Sequence, residues 1–330
     1  MIEAAWWSSL PNDKVFCELC PIACTLKPGQ DGPCGTRSNR NGIMQALHYG
    51  ELVSSGVDPI EKKPLYHFHP GQPILSVAAP GCNLHCKFCQ NHGISQGAGQ
   101  ATSPATPQQV VEAALAENSL GIAFTYSEPL VWYEFVRDTA QEARAAGLKN
   151  VLVTNGFLNP EPLNEILPWI DAANIDLKSM DDQFYRKICK AGLEPVLAAV
   201  RQFHRAGVHV ELTNLLIPGH NDLTEQIDQL VDFVVDLDPE IPLHFSAYHP
   251  AWKMDAPPTP RATMVRALKQ AQKKLPWVYL GNIGGEDGRD TCCPHCGEVV
   301  IQRAGFQARV NLKKDGRCPG CGRQIPVVMT

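Results

Sequence analysis

The sequence contains 330 residues, of which 44% are hydrophobic and 19% are charged, and its formal net charge is −5. This apolar share excludes a disordered chain, which would combine few apolar residues with a high net charge. The net negative charge excludes a protein that binds polyanions over its whole surface, because such binding needs a positive electrostatic potential. At roughly 150 residues per domain, the length predicts about two domains, or one barrel with appendages.

The beginning of the chain predicts neither export nor membrane insertion. Residues 1–7 lack the basic segment with which a signal peptide starts, and no long apolar stretch follows them. No run in the sequence approaches the roughly 18 apolar residues that a transmembrane helix needs. We therefore expect a cytoplasmic protein that does not enter a membrane.

Thirteen cysteines indicate the chemistry of the chain. Their number is odd, the chain is long and no export signal is present, so clustered thiols favour metal binding over a disulfide framework. Cys189 stands alone in the sequence. The others form three groups, which are Cys17, Cys20, Cys24 and Cys34; Cys82, Cys86 and Cys89; and Cys292, Cys293, Cys296, Cys318 and Cys321.

Residues 1–45 form the first predicted segment, which is loop-like, with turns at 28–29 and 31–33 and little apolar periodicity. Such a segment cannot fold by burying apolar side chains alone, so we expect a bound metal to stabilise it. Four thiolates suit tetrahedral zinc, and an iron–sulfur cluster is the rival. Nothing local decides between zinc and iron–sulfur as the occupant of Cys17, Cys20, Cys24 and Cys34.

Residues 46–290 form the predicted core, in which short apolar runs alternate with amphipathic segments. This alternation predicts an α/β fold, a partial (β/α)6 TIM-like barrel that binds ligands at the carboxyl ends of its strands. Thr106 and Pro107 predict a helix start, and Gly147 and Gly207 predict helix ends. The predicted strands are 74–78, 121–126, 151–154, 172–175, 208–212, 243–247 and 278–280, and the later helices are 134–146, 195–206, 224–235 and 261–275.

A tight loop with three cysteines, Cys82-x3-Cys86-x2-Cys89, follows the first predicted strand of this core. A [4Fe–4S] cluster takes four ligands, and no fourth cysteine lies within the loop. The spacing leaves three readings open: a zinc site, a cluster site completed by Cys189, or a cluster with one iron left open for a substrate or cofactor.

With Phe88 before its last cysteine, this loop resembles the signature of radical S-adenosylmethionine (SAM) enzymes. The resemblance implies a [4Fe–4S] cluster whose open iron is chelated by the amino and carboxylate groups of SAM. It also implies that an electron from the cluster cleaves SAM to methionine and a 5′-deoxyadenosyl radical, which abstracts hydrogen from a substrate. No catalytic side chain beyond the cluster and SAM is implied.

Four further segments resemble the SAM site of this family and of its glycyl-radical-enzyme activases. They are residues 124–129, 153–156, 174–178 and 248–250. Val153 stands where the activases have an aspartate of a cation site, so that site is not carried over. On the fifth strand, Glu211 and Thr213 could touch the substrate. The SAM-binding residues that the resemblance implies are Ser127, Glu128, Asn155, Asp176, Lys178 and His249.

Residues 291–330 form a predicted tail with the cysteine pattern of zinc ribbons and rubredoxin-like sites. Two Cys-x2-Cys-Gly knuckles supply Cys293, Cys296, Cys318 and Cys321, which would hold zinc or iron. Cys292 is a spare thiol next to a ligand, either an alternative ligand or without a role, and His295 is expected to be a solvated loop residue. Six Lys and Arg against two acids, with Phe306 as the one aromatic residue, do not favour nucleic-acid binding. Docking on a protein or covering the barrel fits the tail better.

The segments at 17–21, 29–37, 58–68 and 89–91 resemble the radical SAM member of the AmmeMemoRadiSam system. This resemblance implies MEMO-domain and AMMECR-domain partners, and SAM cleavage implies an electron donor such as flavodoxin or ferredoxin. It names no substrate. Two other functions remain open: generation of a glycyl radical on a partner protein, and a non-catalytic electron-transfer or binding module.

Overall fold

A computed structural model describes residues 1–97 and 99–329 of the chain. Their secondary structure falls into an N-terminal part built from short strands, a barrel core, and a small β-rich tail that packs against the core. Within this described part, no helix is both long enough and apolar enough to cross a membrane.

The N-terminal part forms two three-stranded antiparallel sheets, in the orders β1-β6-β5 and β2-β3-β4. The prediction that residues 1–45 are loop-like is therefore wrong. The strands are two to four residues long, which is too short for an alternating apolar pattern to show in the sequence. The strands are β1 (Ile2–Glu3), β2 (Trp7–Leu10), β3 (Lys14–Cys17), β4 (Thr25–Leu26), β5 (Arg37–Arg40) and β6 (Ile43–Ala46).

The core contains an eight-stranded sheet in the order β16-β15-β14-β13-β12-β11-β9-β8. Its strands are β8 (Ser54–Pro59), β9 (Pro73–Ala78), β11 (Gly121–Phe124), β12 (Lys149–Thr154), β13 (Ala172–Asp176), β14 (His209–Leu216), β15 (Leu243–Ala247) and β16 (Val278–Gly281). The chain also forms a small antiparallel pair from β7 (Glu51–Leu52) and β10 (Ser103–Pro104). Within the eight-stranded sheet, all neighbouring strands from β9 to β16 pair in parallel. Strand β8 pairs with β9 at the edge in the antiparallel direction.

Six helical crossovers connect the seven parallel strands, so the predicted α/β fold with a partial (β/α)6 barrel is confirmed. The helices are α1 (His92–Ser95), α2 (Pro107–Ala116), α3 (Tyr133–Ala145), α4 (Pro160–Ile166), α5 (Asp182–Phe184), α6 (Leu193–Arg205), α7 (Thr224–Leu237) and α8 (Arg261–Ala271). A π-helical turn at Tyr185–Cys189 follows α5.

Local signals explain where several of these elements begin and end. Helix α2 starts with a capping box, in which Gln109 N donates to Thr106 Oγ1 at 3.2 Å and Thr106 N donates to Gln109 Oε1 at 2.9 Å. Gly147 and Gly207 follow α3 and α6 with φ of 79° and 77°, as their positions predicted. Strand β11 ends before Tyr126, whose φ of 68° is incompatible with a strand.

The tail forms a three-stranded sheet from β17 (Thr291–Cys292), β18 (Val299–Ala304) and β19 (Gln307–Val310). Its apolar side packs on Trp277 and on the segment that leads into β9. His69 N and Val328 N donate to Val328 O and His67 O, each at 2.8 Å. His67 and His69 precede β9, and Trp277 precedes β16. The tail therefore covers the amino-terminal end of the barrel.

Candidate functional site

A cavity of about 310 Å³ lies at the carboxyl ends of the parallel strands. This is the end at which barrel enzymes bind their ligands. All seven parallel strands, or the loops that follow them, contribute to its wall. Of the residues predicted from the sequence, the structure brings together Cys82, Cys86, Cys89, Ser127, Glu128, Asn155, Asp176 and Lys178.

The three-cysteine loop enters the cavity directly after β9. Leu84 N lies 3.3 Å from Cys82 Sγ, and Ser95 Oγ lies 3.2 Å from Cys89 Sγ, so two of the sulfurs have hydrogen-bonding neighbours. Gly81 opens the loop with φ of 104°, a conformation that favours glycine. Three thiols facing one cavity fit an iron–sulfur cluster that leaves one iron open, and among the described residues no fourth cysteine lines this cavity.

Cys189 is fully buried and lies against Cys86 rather than in the cavity wall. A hydrogen bond from the Cys189 thiol lowers the pKa of the Cys86 thiol, although burial opposes this shift. The prediction that Cys189 is buried is confirmed. The prediction that it is also inert implies that Cys189→Ala keeps the cluster, and a variant that lost the cluster would contradict it.

Glu128 is a buried carboxylate held by three donors. Its oxygens accept from Thr154 Oγ1 at 2.6 Å, Asn155 N at 2.8 Å and Leu130 N at 3.0 Å. Burial raises the pKa of Glu128 to about 7, although the hydrogen bonds lower it. The residue therefore fixes the loop after β12 and offers the cavity a group that titrates near neutral pH. The neighbouring Ser127 hydroxyl donates to Ala79 O at 2.6 Å, so this side chain is bound to the backbone at the end of β9.

Asn155 connects the cavity to the loop that carries the cysteines. Its Nδ2 donates to Asn83 Oδ1 at 3.0 Å and lies 3.6 Å from Cys82 Sγ. Its Oδ1 accepts from Phe157 N at 2.8 Å. The side chain is thus fixed at both ends beside the first cysteine.

Asp176 and Lys178 form an ion pair at the end of β13, with 3.1 Å between Lys178 Nζ and Asp176 Oδ2. Burial alone would lower the pKa of Lys178, but the negative charges of Asp176 and of a Cys86 thiolate raise it well above its usual value. Lys178 therefore keeps its positive charge next to the three-cysteine loop. Phe88 of that loop lies 5.8 Å from Lys178 Nζ, measured to the ring centroid.

Sequence reasoning missed a network of charged and polar groups on the wall beside Tyr126. The Tyr126 hydroxyl donates to Asp58, which also accepts from Lys62 Nζ at 2.7 Å, Lys63 Nζ at 2.6 Å and Ser76 Oγ at 2.9 Å. Burial would raise the pKa of Asp58, but these donors hold it well below its usual range. Asp58, Lys62 and Lys63 belong to a segment that supported the family resemblance, and no local pattern indicated that it reaches the cavity.

Ser246 and Asn282 also line the cavity and were not predicted. His249, which was predicted to bind SAM, is exposed, is not among the lining residues and points a ring nitrogen at Asn282 O at 3.4 Å. The structure therefore does not support that assignment. Ser246, three residues before His249 and inside β15, lines the cavity instead.

Glu211, which was expected to touch the substrate, does not line this cavity. Its buried carboxylate accepts from His67 N at 2.7 Å, Tyr66 N at 3.0 Å, His209 Nε2 at 3.0 Å and His244 Nε2 at 2.6 Å, near the amino-terminal end of the barrel. Burial would raise the pKa of Glu211, but the two histidines hold it well below its usual range. Thr213, two residues further along β14, does line the cavity.

The predicted tail cysteines form a compact group. The sulfurs of Cys293, Cys296, Cys318 and Cys321 all lie within 4.8 Å of one another. Zinc–thiolate bonds of about 2.3 Å place tetrahedral sulfurs about 3.8 Å apart, so this group fits a single metal ion. His295 stays outside the group, as expected, and so does Cys292, whose role the sequence left open.

The four N-terminal cysteines line one cavity, together with Asn83 and Arg37. In contrast to the tail, no three of their sulfurs lie within 4.8 Å of one another. The structure thus brings Cys17, Cys20, Cys24 and Cys34 together, but in a wider arrangement than that of the tail.

Comparison with known proteins gives matches over the core and over the whole chain. A family model described as Radical SAM superfamily matches residues 76–234. An uncharacterised protein of Methanocaldococcus jannaschii is 44% identical over 336 aligned residues, which cover 100% of both chains. Pyruvate formate-lyase 1-activating enzyme of Escherichia coli is 26% identical over 175 residues, which are 51% of this chain and 71% of the enzyme.

Solved structures share the fold. A radical SAM methyltransferase from Sphaerobacter thermophilus superposes with a TM-score of 0.52 and 17% sequence identity, over 70% of this chain and 71% of the methyltransferase. At that identity the similarity concerns the architecture of the barrel.

Proposed function

This chain belongs to the radical SAM superfamily, and from this membership we propose that it is an enzyme that cleaves SAM reductively and uses the resulting radical on a substrate. The observation that carries the proposal is the shared cavity. Three thiols follow β9, a buried carboxylate follows β11 and an ion pair lies at the end of β13, and all of them face the same space. Such convergence of titratable groups at the ligand-binding end of a barrel is typical of an active site.

In the proposed site, Cys82, Cys86 and Cys89 hold a [4Fe–4S] cluster. When bound and reduced, this cluster supplies an electron to SAM, which is cleaved to methionine and a 5′-deoxyadenosyl radical. Lys178 and Asp176 carry charges of opposite sign that suit the carboxylate and amino groups of an amino acid. Glu128 and Asn155 fix the loop after β12, and Ser127 lines the cavity beside them.

The test is anaerobic reconstitution with iron and sulfide, reduction, addition of SAM, and quantification of 5′-deoxyadenosine. We expect product from the wild type and none from Cys86→Ala. Cys292→Ala is the matched control, because it removes an exposed thiol that lies outside the tail group. A fully formed cluster that never yields 5′-deoxyadenosine, with any donor, would contradict the proposal and favour the non-catalytic electron-transfer module.

Generation of a glycyl radical on a partner protein is the second candidate. It is supported by the similarity to pyruvate formate-lyase 1-activating enzyme and to a benzylsuccinate synthase activating enzyme of Thauera aromatica, 23% identical over 234 residues. Mixing the reduced, SAM-loaded protein with a candidate glycyl-radical enzyme would then produce a glycyl doublet in the EPR spectrum. Absence of the doublet with every such enzyme would exclude this function.

We also propose MEMO-domain and AMMECR-domain proteins as partners, and flavodoxin or ferredoxin as the electron donor. The partners follow from the sequence resemblance stated above, and the donor follows from the need for one electron per SAM cleaved. Increased 5′-deoxyadenosine formation on adding the two proteins together would support the partnership. An unchanged rate and no co-purification would refute it.

A further inference from the structure

We propose that the cavity lined by Cys17, Cys20, Cys24 and Cys34 holds a second iron–sulfur cluster, and that this cluster passes electrons to the cluster on the three-cysteine loop. The first statement rests on the N-terminal residues alone. The second rests on the proposed function, because it requires a cluster at Cys82, Cys86 and Cys89.

The four cysteines are presented by turns at the ends of short strands. Cys17 ends β3, and its N–H donates to Cys24 O at 2.9 Å, just before β4. Between them, Ala23 N donates to Cys20 O at 3.0 Å and Ala23 has φ of 52°. Cys34 lies in the turn that Gly35 N closes on Gly32 O at 3.0 Å. Backbone hydrogen bonds therefore place all four thiols around one cavity.

The spacing of these thiols differs from that of a mononuclear site. A zinc ion with thiolate bonds of about 2.3 Å requires sulfurs about 3.8 Å apart, and the tail meets this requirement. No three of the N-terminal sulfurs come within 4.8 Å of one another, and the same holds for Cys82, Cys86 and Cys89. A cluster of several iron atoms spans a wider set of sulfurs than one ion does. The N-terminal site thus resembles the three-cysteine loop and not the tail.

A second observation indicates a missing ligand in the same cavity. Arg37 lines it and is 1% exposed. Its terminal nitrogens donate to Glu134 Oε1 at 2.6 Å and to Ala5 O at 2.5 Å, but its Nε has no partner among the described residues. A buried N–H without an acceptor is costly. Cluster sulfide or thiolate sulfur would provide that acceptor, and the guanidinium would offset the negative charge of the cluster.

The two cysteine groups are joined by one hydrogen bond. Cys82 N donates to Cys34 O at 3.1 Å. This hydrogen bond connects one cysteine of each proposed cluster and gives an electron a short path between them. Gly81 makes this approach possible, since a Cβ there would lie 2.6 Å from Cys34 O and 2.5 Å from Thr36 Cγ2. Asn83 lines the N-terminal cavity and accepts from Asn155, which provides a second link to the active site.

The proposed step is a one-electron transfer. A low-potential one-electron carrier of the flavodoxin or ferredoxin class reduces the N-terminal cluster. That cluster then returns to its oxidised state as it reduces the cluster at Cys82, Cys86 and Cys89 by one electron, and no proton or covalent bond changes place. Cys24 and Cys34 are partly exposed, so the electron can enter from the surface.

The first experiment uses the full chain with Cys82→Ala, Cys86→Ala and Cys89→Ala, reconstituted anaerobically with iron and sulfide. We expect several iron atoms per chain with a matching amount of acid-labile sulfide, and an EPR signal after reduction. Adding Cys17→Ser and Cys20→Ser should remove this iron and sulfide and leave the tail metal in place. One zinc ion lost with these two cysteines, or no metal lost, would overturn the proposal.

Cys17 and Cys20 are buried, so their loss could unfold the segment. The half-buried Cys24→Ser in the same background therefore serves as a second variant, and its iron and sulfide should also fall. Iron without sulfide would belong to the tail, as Cys293→Ala with Cys318→Ala would verify. Because this background lacks the three-cysteine site, a sulfide-free result there, alongside 5′-deoxyadenosine from the wild type, would refute this inference and leave the proposed function intact.

The relay is tested with all of the loop cysteines present. Rapid-freeze EPR follows reduction of the cluster on the three-cysteine loop by reduced flavodoxin, in the wild type and in Cys17→Ser with Cys20→Ser. We expect the variant to lose fast reduction by flavodoxin and to keep reduction by titanium(III) citrate, a small reductant that can enter the open cavity. Equal rates with flavodoxin in both proteins would overturn the relay.

Discussion

The two ends of the barrel use buried charge differently. At the amino-terminal end, Glu211 accepts four hydrogen bonds, and Arg303 of the tail reaches in to donate to Tyr66 O at 2.7 Å. At the carboxyl end, Asp176, Lys178 and the three-cysteine loop face an open cavity. One end is filled by the protein itself, and the other leaves room for ligands. The comparison assigns stability to the first end and chemistry to the second.

Removing cysteines at the two ends should separate these roles most clearly. Cys86→Ala is expected to abolish 5′-deoxyadenosine formation and to lose the brown colour of the cluster. Cys318→Ala should remove the tail metal and lower the melting temperature, while turnover per folded molecule persists at moderate temperature. Loss of turnover in a folded Cys318→Ala protein would contradict the division between the ends.

Arg303→Ala should cause the largest loss of stability among single substitutions at the closed end. Its guanidinium is fully buried, stacks 4.0 Å from the Tyr66 ring centroid and donates to Thr291 Oγ1 at 2.9 Å. Deleting a buried charge that satisfies several partners costs about 3–5 kcal/mol. Urea unfolding measures the change, and the exposed Arg309→Ala on the next strand is the control, with an expected effect of about 0.5 kcal/mol or less. Similar losses in both variants would refute the special role of Arg303.

The ends should also respond to pH with opposite sign in the metal-free protein. Burial lowers the pKa of His67 to about 3, so its contribution to stability is complete above pH 6.5 and is lost as the pH falls. Burial raises the pKa of Glu128 to about 7, so its contribution is complete below pH 4.5 and is lost as the pH rises. Between pH 6.5 and 5, each contribution amounts to about 2 kcal/mol.

Urea unfolding at these two pH values, in wild type, His67→Gln and Glu128→Gln, checks the signs. Relative to wild type, acidification should stabilise His67→Gln and destabilise Glu128→Gln. His295→Gln, on the exposed knuckle of the tail, should follow the wild type. Shifts in the same direction for both variants would break the comparison.

A matched pair of threonines gives the smallest expected effect. Thr291 Oγ1 accepts from Arg303 and lies 2.9 Å from the Tyr279 hydroxyl, whereas the buried Thr213 Oγ1, in the cavity wall, has no partner among the described residues. Thr291→Val should cost about 1–3 kcal/mol, because it leaves buried donors unpaired. Thr213→Val should leave the stability unchanged or raise it. A Thr213→Val protein as unstable as Thr291→Val would show that the open end also depends on its polar groups for stability.

The sequence predicts the barrel well because each of its parallel strands is a buried apolar run between clear helix signals. All seven predicted strands overlap observed ones, and 243–247 matches β15 in full. The three-cysteine loop was found for the same reason, since its spacing is local. Residues whose environment depends on distant pairing were misplaced. Glu211 meets backbone donors 144 and 145 positions away, which no local pattern encodes.

The N-terminal strands and the position of the tail were missed for related reasons. Strands of two to four residues carry no periodicity, and their pairing depends on turns around cysteines. The tail was expected to dock on a protein or to cover the barrel, and it covers the end opposite the cavity. The buried contacts of Arg303 help to hold the tail at the amino-terminal end. The sequence around Arg303 does not indicate these contacts, because it resembles that of a surface arginine.

The bridge between Phe68 and Val328 has a consequence for the order of events during synthesis. It joins residues 260 positions apart. The barrel strands can therefore emerge from the ribosome and pair while the amino-terminal end of the barrel is still uncovered. Domains generally fold from the N-terminal side as they are made. Until residue 328 has been added, the tail cannot form its backbone hydrogen bonds with His67 and His69, so this end of the barrel is the last part of the fold to be closed.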